Sequence, residues 1–334
     1  MSTLQQLPPR RIVERLRDVS ATRPLWALML GAGVQSTTLA LLAAQGEIER
    51  PDVMLMADTQ WEPQAVYDNV EWVEHELAHP MGIPLIRVTA GDIRADALRT
   101  DGGHYATLPL HVRTHAGGQA ILKRQCTGDY KVRPLMAMLR ALLGAPIDAD
   151  GNVGRVPKGR RAVQLVGFSR DEQRRVLEDT PAYTEHRHPL IDLGLTRQGC
   201  QAILERHGRA NTTRSACVGC PFSGNARWRS LRDHHPKEWA EAIHFDERIR
   251  HGHPAAPTKL RGTAYLHRSR VPLAEAPIEK VTAAEWHQRQ AELDLTIDGS
   301  PVNLADWEED PPGCSPFGCR RTEIPTRAAV EAGA

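Results

Sequence analysis

The apolar positions of the chain fall into two alternating kinds of run. Short unbroken apolar stretches are bounded by Gly, Pro or Asp: Leu25-Trp26-Ala27-Leu28-Met29-Leu30, Val53-Met54-Leu55-Met56-Ala57, Ile83 to Val88, and Val163 to Gly167. Each reads as a strand buried on both faces. Between them, apolar residues recur at helical spacing. Leu39 to Gln45 reads as an Ala/Leu helix that Gly46 stops, and Pro63 to Leu77 carries Val66, Val70, Val73 and Leu77 on one face. Further helices are predicted over about 132–143, 196–207 and 226–250. This β-α-β-α-β rhythm predicts an α/β fold, a Rossmann-like doubly wound parallel sheet with a mainly helical C-terminal region.

The same pattern divides the chain. Residues 1–23 are polar and read as an N-terminal extension, either frayed or a single docking helix around Ile12 to Val19. Residues 24–210 hold the strands and helices of the α/β domain, and residues 211–334 form a cysteine-containing helical region and tail. Asp92 to Gln125, with two Gly pairs and His104, His111 and His115, reads as an irregular lid with surface histidines. Ala145 to Arg160 reads as a loop and His251 to Lys259 as a linker, with Ala264 to Pro272 packing back on the core.

Composition changes this picture little. A formal net charge of +1 exerts no global pull toward nucleic acid. No apolar run approaches the roughly 20 residues of a membrane helix, and the N-terminal arginines are followed by no secretory apolar core. A cytoplasmic protein with no membrane partner is expected. Only six of the 42 basic residues are lysine. That bias fits either a GC-rich genome or phosphate contact through guanidinium forks. Arg227, Arg229 and Arg232 beside Trp228 on one predicted helix suit a nucleic-acid substrate, or else a solvated helix with Trp228 turned to the core.

Candidate chemistry begins at the end of the first strand. Gly31-Ala32-Gly33-Val34-Gln35-Ser36-Thr37 turns directly into a helix N-terminus, where unpaired backbone N–H groups and the positive dipole end favour a phosphate. Asp58-Thr59 and Gly167-Phe168-Ser169-Arg170 end two other strands, and ligands of parallel sheets bind beyond such ends. Six cysteines in a chain expected in a reducing compartment point to metal or catalytic roles rather than disulfides. Cys217 and Cys220 form a C-x-x-C that suits zinc, an iron–sulfur cluster or a redox dithiol. Cys126, distant in sequence, supplies a third thiolate and favours a cluster; the alternative is a buried, inert thiol. Cys200 lies inside a predicted helix and reads as packing. Cys314 and Cys319, flanked by Gly and Pro, read as a mobile nucleophile or resolving thiol, or as the closing ligand of the cluster.

Several of these stretches, in order, resemble the phosphoadenosine phosphosulfate reductase family of the adenine nucleotide α-hydrolase superfamily. Gly33-Val34-Gln35-Ser36 resembles the Gly-Ile-Gln form of its modified phosphate loop (PP-loop). Asp58-Thr59-Gln60-Trp61-Glu62-Pro63 is similar to its Asp-Thr-Gly…Pro-Glu-Thr segment. Gly167-Phe168-Ser169-Arg170 with Glu172 resembles its Gly-x-Arg-Arg-x-Glu/Gln turn, and Pro189-Leu190-Ile191-Asp192 the Pro-Ile-Ile-Asp that follows. Cys126…Lys131…Pro134-Leu135 resembles the Cys-Cys-x-x-x-Lys-x-x-Pro-Leu motif of iron–sulfur adenylylsulfate reductases, with Cys217 and Cys220 as the second motif. Two departures stand out. Thr127 replaces the second of the adjacent cysteines, and the terminal Glu-Cys-Gly is absent, Phe317-Gly318-Cys319-Arg320 being the nearest stretch. Three-cysteine clusters resemble those of tRNA-thiolating sulfurtransferases, in which an open iron carries the sulfur. Cluster-bearing proteins of DNA phosphorothioation are also relatives in the superfamily.

The resemblance implies an adenine nucleotide on Gly31, Ala32, Gly33, Val34, Gln35, Ser36 and Thr37, with Asp58, Thr59, Gly167, Phe168, Ser169 and Arg170 completing the site. It implies a 4Fe-4S cluster on Cys126, Cys217 and Cys220, closed by Cys314, Cys319 or no protein ligand. Two reactions follow. In one, ATP with Mg²⁺ adenylates an acceptor, nucleic acid or small molecule, aided by Asp58 and Arg170. Sulfur from a donor such as a cysteine desulfurase then displaces AMP. In the other, Cys319 attacks adenylyl sulfate or its 3′-phosphate form, and a thioredoxin-like dithiol releases sulfite, with Cys314 as the second candidate thiol of the tail. Thr127 and the altered tail favour sulfur transfer; Gln35 favours the reductase. A nucleotide-binding redox sensor without turnover is the non-enzymatic reading.

Overall fold

In the computed structural model, residues 7–101, 104–176, 181–282 and 285–286 are described. Cys314 and Cys319 therefore lie outside the described residues. The fold is Rossmann-like and doubly wound. Five strands, β1 (Leu25–Met29), β2 (Val53–Asp58), β3 (Leu85–Thr89), β6 (Ala162–Val166) and β7 (Thr184–Arg187), form one parallel sheet in the order β3-β2-β1-β6-β7. The order reverses between β1 and β6. That switch point opens a crevice at the carboxyl ends of the two strands.

Alternation along the central strands explains the two helical layers. Leu28, Leu30, Met54 and Met56 face one side, where they pack on α2 (Val34–Gln45), α3 (Gln64–Trp72) and α7 (Arg197–Arg206). Leu25, Ala27, Met29, Val53, Leu55 and Ala57 face the other, against α1 (Arg10–Thr22) and α5 (Arg133–Leu142). The N-terminal segment is thus a docked helix: Leu16 is in the core, and Arg17 Nε donates to the Ala141 carbonyl at 3.0 Å. Thr196 caps α7 by accepting from Gly199 N at 3.1 Å. Gly46, at φ +75°, closes α2 in the left-handed region.

The stretch read as an irregular lid is partly regular. It contains the short helix α4 (Ile93–Leu98) and strands β4 (His111–Thr114) and β5 (Gln119–Ile121). With β8 (Gly262–Tyr265) these strands make an antiparallel sheet in the order β5-β4-β8. A pairing partner about 150 residues away fixes β4, and local pattern carries no trace of it. The C-terminal region is otherwise helical: α6 (Pro189–Asp192) precedes α7, then α8 (Asn225–His234) and α9 (Pro236–Arg248) follow, parted at Pro236. Trp61, Tyr130, Cys217, Trp228, Phe245 and Leu266 share a third apolar cluster that joins this region to the sheet. Among the described residues no helix is long and apolar enough to cross a membrane.

Candidate functional site

The turn after β1 is held from three sides. Gly31 N donates to Ser36 Oγ at 3.1 Å, which closes the turn on itself. Ala32 adopts φ +54°, a strained value for a residue with a Cβ. Asn69 of α3, buried at 1% exposure, stabilises that shape: its Nδ2 donates to the Ala32 carbonyl at 3.1 Å and to Thr37 Oγ1 at 2.8 Å. Arg209 in turn donates to Asn69 Oδ1 at 2.9 Å and lies over Trp72. From the second side comes the turn after β6. A Cβ on Gly167 would lie 3.0 Å from Ser36 N, tighter than most real contacts, so the two turns meet closely where the chain has no side chain. From the third side comes the segment before the C-x-x-C. A Cβ on Gly33 would lie 2.9 Å from Ser215 N.

Side chains link the two turns as well. Gln35 Nε2 donates to Glu172 Oε2 at 2.9 Å and lies 3.5 Å from Ser169 Oγ. Glu172 pairs with the buried Arg175, whose guanidinium covers the Phe168 ring at 4.9 Å. His188 stacks on the same ring. Arg170 is exposed, and its backbone N–H donates to the Leu195 carbonyl at 2.8 Å. The buried cation of this turn is therefore Arg175, a residue the sequence reading passed over.

At the end of β2, Asp58 Oδ1 accepts from Gln60 N at 2.7 Å and from Tyr67 Oη at 2.9 Å. Burial, then the Asp58 charge, pushes the Tyr67 hydroxyl well above its usual range. Thr59, Glu62 and Lys131 form a buried polar knot. Thr59 Oγ1 donates to Glu62 Oε1 at 3.0 Å, and Lys131 Nζ donates to the same oxygen at 2.9 Å. Cys217 closes the knot, with Sγ 3.3 Å from Thr59 Oγ1 and 3.8 Å from Glu62 Oε1. Glu62 and Asn69 went unnoticed as site residues. Their one signal is a polar side chain within an otherwise apolar face.

The C-x-x-C is a tight turn in which Cys220 N donates to the Cys217 carbonyl at 3.2 Å. It rests on Trp61: Val218 N donates to the Trp61 carbonyl at 2.9 Å, and Gly219 lies flat on the indole. Cys126 packs against the same apolar cluster as Cys217. A tight turn with two thiols suits two ligands of one metal or cluster. Yet among the described residues no three His, Cys, Asp or Glu side chains stand together as a metal-binding group. The ligand set is incomplete in this arrangement. Cys200 is fully buried, and burial pushes its thiol up to about 12, as packing requires.

His111 corrects the reading of surface histidines. It is 6% exposed, with Nε2 3.1 Å from the Pro221 carbonyl, because β4 carries it inward against the cysteine turn. Burial lowers its pKa. His104 and His115 are exposed. The arginines of α8 are engaged within the chain: Arg227 donates to the Ala216 and Cys217 carbonyls, Arg229 pairs with Glu285, and Arg232 with Asp233 and Glu279. Trp228 is fully buried. That helix face is a structural one. No protein-family model and no curated protein sequence matches the chain.

Proposed function

We propose that the chain is an enzyme that binds an adenine nucleotide in the switch-point crevice and uses it beside the cysteine turn, by ATP-dependent adenylation and sulfur transfer to an acceptor. One observation carries this reading: the segment that packs against the phosphate-type turn at Ser215 runs on within two residues to Cys217. A ligand on the backbone N–H groups of Gly33 to Ser36 then lies near a thiol turn. In this reading the α2 N-terminus binds the phosphates, with Mg²⁺ countering their charge as Asp58 helps hold it. Thr59 and Glu62 orient Cys217. Cys217 and Cys220 would supply two ligands of a 4Fe-4S cluster, and Cys126, packed on the same apolar cluster, would have to close on them to supply a third; such a group would bring sulfur or redox chemistry when bound.

Gln35 supports a second reading, that of a sulfonucleotide reductase. It stands where ATP pyrophosphatases have Asp, and it is tied to Glu172 rather than directed at a metal.

The test uses the intact chain. ATP titrated calorimetrically into anaerobically purified protein is expected to bind, and Gly33→Ala, which presses on Ser215 N, to weaken it at least tenfold. Iron and sulfide analysis is expected to find a cluster. AMP release from ATP in the presence of candidate acceptors supports transfer; sulfite release from adenylyl sulfate with a dithiol supports reduction. A colourless, zinc-loaded protein that binds neither nucleotide would overturn both readings.

A further inference from the structure

A second cavity, of about 440 Å³, lies beyond the cysteine turn at the start of α8. Asn225, His267, Arg268, Ser269, Lys280 and Thr282 supply its polar lining, with Pro277 and Val281 as an apolar wall. The volume far exceeds a single oxyanion and lies within the range of small-molecule sites, about 300–1,000 Å³.

The lining is held in place. Asn225, 5% exposed, donates from Nδ2 to the Pro277 carbonyl at 3.2 Å and to the Lys280 carbonyl at 2.6 Å. Its Oδ1 lies 2.9 Å from His267 Nε2, which must therefore carry a proton. His267 Nδ1 accepts from Ser269 N at 3.2 Å and lies 2.7 Å from Ser269 Oγ. That pattern fixes one neutral tautomer of His267, which is 2% exposed. The loop bearing Arg268 and Ser269 is stapled at both ends by the buried Asp246. Its Oδ1 accepts from Leu266 N at 2.7 Å and its Oδ2 from Leu273 N at 3.0 Å.

The charge is of one sign. Arg268 and Lys280 line the cavity, while Arg270, next in the loop, donates to the Val112 and Arg268 carbonyls. Among the described residues neither Arg268 nor Lys280 has a carboxylate within ion-pair distance. Arg268 and His111 both push the already buried His267 downward. The helix α8 also begins here, with no side-chain cap on its first N–H groups. Unpaired cations, hydroxyls and helix N–H groups together suit a multiply charged tetrahedral oxyanion, and the apolar wall suits an organic body attached to it.

We propose that this cavity binds a phosphate-bearing ligand, a nucleotide phosphate either free or within a nucleic-acid strand, at a site separate from the Gly31–Ser36 turn. The site is independent of the reaction proposed above.

The experiment compares the intact chain with Arg268→Glu/Lys280→Glu, both exposed positions, and with the milder Arg268→Gln/Lys280→Gln. Probes are a 12-nucleotide single strand, followed by fluorescence anisotropy, and AMP and inorganic phosphate, followed by calorimetry. All are measured without ATP, so that any binding at the first turn is common to the parent and both variants and the difference between them reports the cavity. The charge-reversed variant is expected to bind at least one probe tenfold or more weakly, the neutral variant falling between. Dependence of the strand alone identifies a polymer, with the salt slope lowered by about one per cation removed. Dependence of AMP and phosphate identifies a free nucleotide. Binding of every probe within twofold of the unmodified chain in both variants would overturn the proposal. ATP binding itself is read separately: if ATP fails to bind, the crevice reading falls while this comparison still stands without it.

Discussion

Glu62 and Lys131 illustrate what single residues do in this molecule. Both are nearly fully buried, and Lys131 Nζ lies 2.9 Å from Glu62 Oε1. Removing one partner of such a pair leaves a buried charge and costs about 3–5 kcal/mol, whereas removing both is often near neutral. Lys131→Met is therefore expected to lower stability by about 3–5 kcal/mol in urea denaturation. Glu62→Gln/Lys131→Met is expected to recover most of the loss. A double variant as unstable as the single one would show that the lysine matters through packing instead. The residues of this knot were only half visible beforehand. Lys131 and Glu62 each stand within a stretch that resembles a motif, but nothing local says that either is buried or that the two meet. Burial depends on what covers a position, and here the cover arrives from Cys217, 155 residues later.

At the scale of elements, local pattern was enough for the parallel sheet and its helices. Each central strand is a continuous apolar run because both of its faces are covered, and α3 and α5 carry an apolar stripe, whereas α2 is buried all round from Val34 to Ala43. The small antiparallel sheet was illegible for the opposite reason. β4 and β5 are short and mixed in character, and β4 pairs with β8 from 148 to 154 residues away. The turn between β1 and α2 was legible through its glycines, but the reason for Gly219 was not. A Cβ there would lie 2.1 Å from Trp61 Cη2, and the Trp61 ring is itself wedged against Phe245 at 4.7 Å. The cysteine turn is thus seated by a glycine against an indole that has no room to retreat. Overpacking of this kind costs about 1–3 kcal/mol, each kcal/mol lowering the melting temperature of a chain this large by ~2–4 °C. Gly219→Ala is expected to melt several degrees lower and to label faster at Cys217 with a thiol reagent. Equal melting and equal labelling would mean that the turn does not depend on this seat.

Across the whole molecule, histidines buried in neutral form couple folding to pH. His267 is the clearest. Burial first, then the charges of Arg268 and His111, hold it at about 4, below the ordinary value of 6.5. His111 and His253 are lowered in the same direction, mainly by burial. Between those two pH values the unfolded chain binds a proton at His267 that the folded chain does not, so folding weakens as pH falls. Stability from this group is complete above about 6.5 and declines as pH drops toward 4, by up to about 1.4 kcal/mol per pH unit. The neighbouring hydrogen bonds say the same: a second proton would sit on Nδ1, the atom that accepts from Ser269 N. Urea midpoints are expected to be level from pH 8 to 7 and to fall steadily from 6.5 to 4.5. The upper part of that window, above about 5.5, lies clear of the range in which ordinary carboxylates titrate. His267→Gln keeps an amide donor for Asn225 but binds no proton. It is expected to be less stable than the parent at neutral pH and to show a shallower decline. A decline equally steep in the variant would assign the pH dependence to other groups, and a level profile in the parent would mean that His267 gains its proton without opening the fold.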